Sequence, residues 1–389
     1  MNSLVEHFQP LFDRIADGAL ERELDRTLPY EQVRWLADAG FTKLQVPAAY
    51  GGQDISVSQL VELLIPLATA DSNLVQILHA HFGFTPLHVL NPQPISDWWL
   101  TQVGQGNIIS NGMVGGGEAN DGTFTGTKVY TTGALFADEM FVVTGRDDAG
   151  MPTFHVVSTA AVGVERIDDW DGIGQRLTAS GTTHFNNVGL DDSRKMTINT
   201  PTGLMTNAFV VLIHAAAQAG IAAAAVEDAA GFVRNRSRTY GHALAEYPKD
   251  DPLVQEVVGR ARIHAQAAAD LVKITAQDFD VHLREVAALS VADDTYWELY
   301  GRAVARVQAT TVSVSEHVLE ATQLVYEVGG ASILQRTHGF DRHWRNARVF
   351  ATHNPAHYKL RGLGDYQLNG TIPPVDSWAR PSRPFVNQN

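Results

Sequence analysis

The residues most suited to chemistry in this chain lie between Arg336 and Gly370, RTHGFDRHWRNARVFATHNPAHYKLRGLGDYQLNG, where polar, aromatic and imidazole side chains crowd more densely than a core helix requires. His338, His343, His353 and His357 all fall within it, and Pro355 breaks the local pattern two residues after His353. An imidazole has an unperturbed pKa of ~6.5 and can give or take a proton near neutrality, so proton transfer is the natural task for such a stretch. Metal binding is the weaker reading. His353 and His357 are four apart and could share a helix face, but no glutamate stands between them in an HExxH arrangement and no nearby carboxylate is spaced as a third ligand.

Further candidates lie far away along the chain. RNRSRTYG places Arg234 and Arg238 at i, i+4. A guanidinium fork binds phosphate oxygens bidentately, so Arg238 is a candidate for a cofactor phosphate, while Arg234 and Arg236 read better as a solvated face. In DDWDGIGQRLTASGTT, Trp170 offers a flat apolar surface and Thr178 and Ser180 offer short hydroxyls, a combination that can cover an aromatic ring system and bind its polar edge. Against this stands the plainer reading of a core tryptophan followed by turn residues. YTTGALFADE sets Thr131 and Thr132 at a strand end, where one hydroxyl could face a ligand. GMVGGGEANDG at 112–122 and the Gly172–Gly174 pair lack the context of a phosphate loop or dinucleotide fingerprint and read as turns.

Composition narrows the function classes. The 389 residues are 44% hydrophobic and carry 29 Lys plus Arg against 43 Asp plus Glu, a formal charge of −14. Such acidity argues against nucleic acid or an anionic membrane as the main partner. The absence of cysteine removes disulfides, thiolate nucleophiles and iron–sulfur ligation, so redox chemistry must come from a bound cofactor. The N-terminal stretch is acidic and amphipathic, without the basic-then-apolar order of a secretory signal, and a cytoplasmic location is expected. Ala208 to Val226 is the most apolar stretch, but its alanine content with His214 and Gln218 predicts a buried helix rather than a membrane span.

The elements that must position these residues fall into three blocks. Residues 1–103 read as an N-terminal helical domain, with Leu4, Phe8, Leu11, Phe12 and Ile15 at helical spacing and a second helix from Pro29 to Gly40. Ser58 to Ala70 and the following DSNLVQILHAHFGF read as two successive helices. Residues 104–198 form a β domain of five or more strands, predicted antiparallel because the strands follow one another without intervening helices. Residues 199–389 read as a C-terminal bundle with long segments at Gly203–Arg238, Asp251–Phe279 and Val286–Val328, a last one through the histidine-rich stretch, and a proline-rich tail.

This order of elements, together with VPAAYGG, GTKVYTTGALFADEMFVV, DDWDGIGQRLTASGTTHFNNV and RHWRNARV, resembles the acyl-CoA dehydrogenase superfamily over nearly the whole chain. The resemblance implies an α+β fold in which an N-terminal helical domain, a middle antiparallel β-barrel or sandwich and a C-terminal four-helix bundle assemble as a homotetramer around a flavin. Dehydrogenases of the family carry a segment like IYEGT just after RNARV, with a glutamate as base. Here ATHNPAHYK puts His353 and Asn354 at that place, which is similar to the flavin-dependent monooxygenase branch typified by dibenzothiophene monooxygenase.

By that likeness His353, His81 and Thr132 take catalytic or flavin-facing places, and Trp170, Thr178, Ser180, Arg238 and Thr132 bind the cofactor. The implied cofactor is reduced FMN, with FAD as the alternative, supplied by a separate flavin reductase. O2 would add to the flavin C4a carbon to give a (hydro)peroxide that oxygenates a small substrate, S-oxygenation of an organosulfur compound being favoured. An acyl-CoA dehydrogenase or oxidase with FAD and an N-hydroxylating flavin monooxygenase are the alternatives. Phe350 stands where dibenzothiophene monooxygenase has a further histidine, and the stretch from about Gly112 to Phe124 is shorter than in that enzyme.

Overall fold

A computed structural model describes residues 3–373, and the expected proline-rich tail lies mostly outside the described residues. The chain begins with α1 (Ser3–Ala16), α2 (Ala19–Asp25), α3 (Tyr30–Asp38), α4 (Val57–Leu90) and α5 (Ser96–Gly104). Phe8, Phe12 and Ile15 recur on one face of α1 and are buried, which is why that amphipathic segment docks as a helix. A capping box between Ser56 and Gln59 starts α4.

The sequence predicts a break between Ala70 and Asp71, but α4 continues through it. Asp71 alone leaves helical geometry, at φ −159° and ψ 105°. Its Oδ1 accepts from the Asn73 backbone N at 3.1 Å and from Asn73 Nδ2 at 2.9 Å, and its Oδ2 accepts from Arg22 Nη2 at 3.2 Å. The polar groups freed by the interruption thus find new partners, so the kink can sit in a buried helix.

The β domain comprises β1 (Ile109–Gly112), β2 (Val114–Asn120), β3 (Thr123–Val129), β4 (Glu139–Arg146), β5 (Pro152–Ser158), β6 (Val164–Arg166), β7 (Thr183–Gly189) and β8 (Lys195–Thr197). They form two four-stranded sheets, ordered β1-β4-β5-β8 and β2-β3-β7-β6. Strand alternation divides the cores. Met140 and Val142 of β4 meet Phe124, Phe185 and Val188 between the sheets, while Phe141 turns the other way onto Phe84, Trp99 and Val103 of the helical domain.

Two expectations are corrected here. The sheets are not wholly antiparallel, because β1 pairs with β4 in parallel. The glycine-rich 112–122 segment is not a set of turns but the site of β2, in register with β3 from Val114↔Val129 to Asn120↔Thr123. Glycine suits it because the strand passes tightly under a ring: a Cβ on Gly117 would stand 2.3 Å from Phe124.

The C-terminal region contains α6 (Pro201–Arg234), α7 (Pro252–Ala287), α8 (Asp294–Leu324), α9 (Asp341–His353) and α10 (Ala356–Asn369). By length and composition α4 and α6 could each cross a membrane, yet 78% and 89% of their apolar windows are buried inside the fold. Their apolar surface is used in packing, and α6 is the central helix of the bundle. Val286 lies inside α7 rather than at the start of the next helix, the break falling at 288–293. Likewise α6 ends at Arg234 with Asn235 as its cap, so Arg234 and Arg238 do not share a helix face.

Candidate active site

A cavity of about 1010 Å³ opens where α4, the β1–β2 junction, α6 and α9 meet the 170–180 loop. The loop's placement follows from its hydrogen bonds. Gln175, at φ 49°, donates its backbone N to Asn346 Oδ1 of α9 at 2.6 Å and its Nε2 to Ser72 Oγ of α4 at 2.9 Å. Its carbonyl accepts from Trp170 Nε1 at 2.9 Å and from Thr178 Oγ1 at 2.8 Å. Gly174 allows the loop to lie against α9, since a Cβ there would come within 2.3 Å of the Arg345 carbonyl oxygen. Arg345 also bridges the elements, donating Nη1 to Glu23 Oε1 at 3.0 Å and to the Ile173 carbonyl at 2.7 Å.

The loop thereby presents a hydroxyl chain. Thr178 and Ser180 Oγ atoms are 2.8 Å apart, as are those of Ser180 and Thr132. Thr132, Ser180 and Trp170 line the cavity, and Thr178 supports Ser180 from behind, fully buried. Gln76 and Gln175 also line the cavity, and the Oε1 of each is buried without a hydrogen-bond partner among the described residues. Unspent acceptors beside an apolar wall suit a planar heterocycle that carries N–H donors on one edge, as an isoalloxazine does.

Facing this loop, α4 and α9 contribute His79 and His353. His79 Nδ1 lies 2.6 Å from the Gln76 carbonyl, which can only accept, so Nδ1 carries the proton and Nε2 keeps its lone pair. His353 is the last residue of α9. Asn354 leaves the helix in extended conformation, and Pro355 starts α10 with a fresh backbone direction. Burial brings the His353 pKa down to about 4, and the Lys359 ammonium lowers it further in the same direction. Burial likewise brings His79 to about 4, opposed by its bond to the Gln76 carbonyl and aided by His353. His353 is exposed where it faces the cavity, with protein atoms crowding its other sides, as a wall residue does. Both shifts favour the neutral imidazole. None of the described residues lining the cavity is an aspartate or glutamate.

Not every residue singled out in the sequence is here. His81 is fully buried away from the cavity, with Nε2 on the Thr42 carbonyl at 2.8 Å and Nδ1 accepting from Ile109 N at 3.2 Å. Both ring nitrogens are committed to backbone, so it joins α4 to β1, and its neighbour two residues earlier, His79, reaches the cavity instead. The irregular residue Asp71 resets the rotation of α4, and periodicity counted from sequence does not carry across such a break. Arg238 is exposed and does not line this cavity; its carbonyl accepts from Arg236 Nε at 2.9 Å. His214, read in the sequence only as a polar residue of a buried helix, packs against His353 with ring centroids 4.6 Å apart. Among the described residues no group of three or more His, Cys, Asp or Glu is arranged to hold a metal ion.

A helical domain, a two-sheet β domain and a helical bundle enclose this imidazole-lined cavity. Residues 212–358 match the family model for the acyl-CoA dehydrogenase C-terminal domain. Dibenzothiophene monooxygenase of Rhodococcus qingshengii is 27% identical, covering 87% of this chain and 86% of that protein. A probable FMNH2-dependent monooxygenase, SfnC of Pseudomonas putida, is 25% identical over 93% and 94% of the two chains. Methanesulfinate monooxygenase MsuC of Pseudomonas fluorescens superposes with a TM-score of 0.86 at 24% identity, over 97% of this chain and all of that one. In sequence the chain is thus similar to the acyl-CoA dehydrogenase superfamily, and among its members to flavin-dependent monooxygenases.

Proposed function

We propose that this protein is the oxygenase component of a two-component system that receives reduced FMN from a separate flavin reductase and oxygenates the sulfur of a small organosulfur compound. The observation that carries this reading is the cavity wall itself: two imidazoles held neutral, a hydroxyl chain opposite them, and no carboxylate among the described lining residues. A dehydrogenase needs a carboxylate to take the substrate's α-proton, whereas oxygen insertion needs a group that can hold and return one. The named activities of the dibenzothiophene and FMNH2-dependent relatives support the sulfur substrate and the flavin.

Trp170, Thr132, Ser180 and the free acceptors of Gln76 and Gln175 would hold the flavin ring. When bound, reduced FMN supplies the two electrons that activate O2. One oxygen atom passes to sulfur and the other leaves as water, so a proton has to be available beside the reacting oxygen. His353 manages that proton, its neutral ring both accepting and donating at nitrogen, and His79 keeps its Nε2 lone pair toward the same space. Phe84, Met113, Ile198, Leu204 and Val210 provide the apolar wall that excludes water around the substrate. We further take the chain to act as a homotetramer, a reading supported by the exposed Ile263, Ile274 and Val281 along α7.

The test supplies the purified protein with FMN, a generic NADH-dependent flavin reductase, 18O2 and either an alkyl or an aryl sulfide. Sulfoxide carrying 18O is the expected product. Oxygenation of amines but not sulfides would move the protein to the N-hydroxylating class, and oxidation of an acyl-CoA with FAD would overturn the reading.

A further inference from the structure

We propose that His214, which is not among the residues lining the cavity, is the positioning residue for the two imidazoles that are. It projects from the central helix α6 into the gap between α4 and α9. Its ring meets His353 edge to face, with centroids 4.6 Å apart at 66°, and stands 5.2 Å from His79 at 48° and 5.4 Å from Phe350 at 47°. His214 therefore packs ring against ring on both imidazoles that face the cavity.

Stability does not explain a histidine at this place. His214 is 3% exposed, and its Nε2 has no hydrogen-bond partner among the described residues. An orphaned buried nitrogen costs free energy, whereas an apolar ring of similar shape would stack on Phe350 without that cost. A residue that works against the fold where a phenylalanine would serve it points to function. The groups facing the cluster reinforce this. His79 comes from α4, and Lys359 of α10 donates Nζ to the Asn354 carbonyl at 3.0 Å, placing a cation beside His353. Burial and these neighbours push His214 well below the ordinary histidine range, so it acts as a neutral ring that orients its neighbours by the edge-to-face and tilted ring contacts it makes with them.

This proposal rests on the monooxygenase reading for its catalytic readout, and its structural readout is independent of it. His214→Phe is expected to fold with a melting temperature no lower than the wild type and to bind FMN with unchanged affinity. Its kcat for product falls about tenfold to a hundredfold, with KM unchanged and hydrogen peroxide released in place of product. His214→Gln, which restores a polar N–H at lower shape complementarity, retains more activity than His214→Phe while being less stable. Equal rank order in stability and activity would reduce His214 to packing and overturn the proposal. Histidine-ring NMR on selectively labelled protein gives the turnover-free test. The His353 and His79 ring signals shift or broaden in His214→Phe, and unchanged signals overturn the proposal whatever substrate the enzyme takes. Should His214→Phe fail to fold, ring-to-ring proton contacts between His214 and His353 in the wild type decide the matter, their absence counting against it.

Discussion

On the wall built by residues 170–180, the hydroxyls of Thr132, Ser180 and Thr178 form one hydrogen-bonded chain, and the loop backbone is tied to α4 and α9 through Ser72 and Asn346. The opposite wall, at the end of α9, holds His353 and His79 with few hydrogen bonds, the half-buried Lys359 nearby and an orphaned His214 nitrogen behind them. The first wall is pre-organised by a connected hydrogen-bond network that leaves the Gln175 Oε1 acceptor open, and it therefore suits a large ligand that must bind in one pose. The second commits His79 Nδ1 to a carbonyl but leaves His79 Nε2 without a hydrogen-bond partner among the described residues and His214 Nε2 orphaned at a cost in stability, and it therefore suits proton movement. Binding and chemistry are thus carried by different physical devices on two sides of one cavity.

That contrast can be broken from either side. Removing the imidazole should have the largest effect: His353→Ala keeps FMN affinity but loses product by about 100-fold or more, the range for loss of a general acid–base group. Product and peroxide per O2 consumed measure it, and a normal product yield would end the role assigned to His353. On the other wall Asn346→Ala leaves the Gln175 backbone N–H buried without its acceptor. It should cost ~1–3 kcal/mol in denaturant unfolding, and FMN titration should show weaker binding with the pH profile unchanged.

The smallest effect sharpens the electrostatic side. His353 is depressed first by burial and then by Lys359, so Lys359→Met removes the second cause and lets His353 take up a proton at a higher pH. Because the neutral ring is the working form, the acidic limb of kcat/KM moves upward in pH while the rate at pH 7 stays the same. An acidic limb that stays in place would show that Lys359 does not act on His353.

The α-β-α order, the strand of residues 139–146 and the amphipathic first helix could be read directly, because period-2 and period-3.6 patterns report which face is buried. The histidine-rich stretch was legible for a related reason: ATHNP interrupts a helix with a residue type that packing alone does not ask for. The choice between His79 and His81 was not legible. Two histidines separated by one residue face opposite sides of any helix, and the single non-helical residue Asp71 fixes which side is which through contacts with Arg22, a residue 49 positions away. Nor was the position of Arg238 relative to this cavity legible, because it depends on the helix ending at Arg234.

What the sequence alone determined was the set of chemical groups and the elements that carry them: His353 before a proline, Trp170 with its short hydroxyls, and an alanine-rich helix with one histidine in its middle. Only the tertiary structure decided which of them meet. Gln175 joins Ser72 and Asn346 across separations of 103 and 171 residues, and His214 reaches His353 from another helix. Local periodicity fixes the face a side chain occupies, whereas its partners depend on the angle and depth at which helices pack, and those are set by the whole core at once.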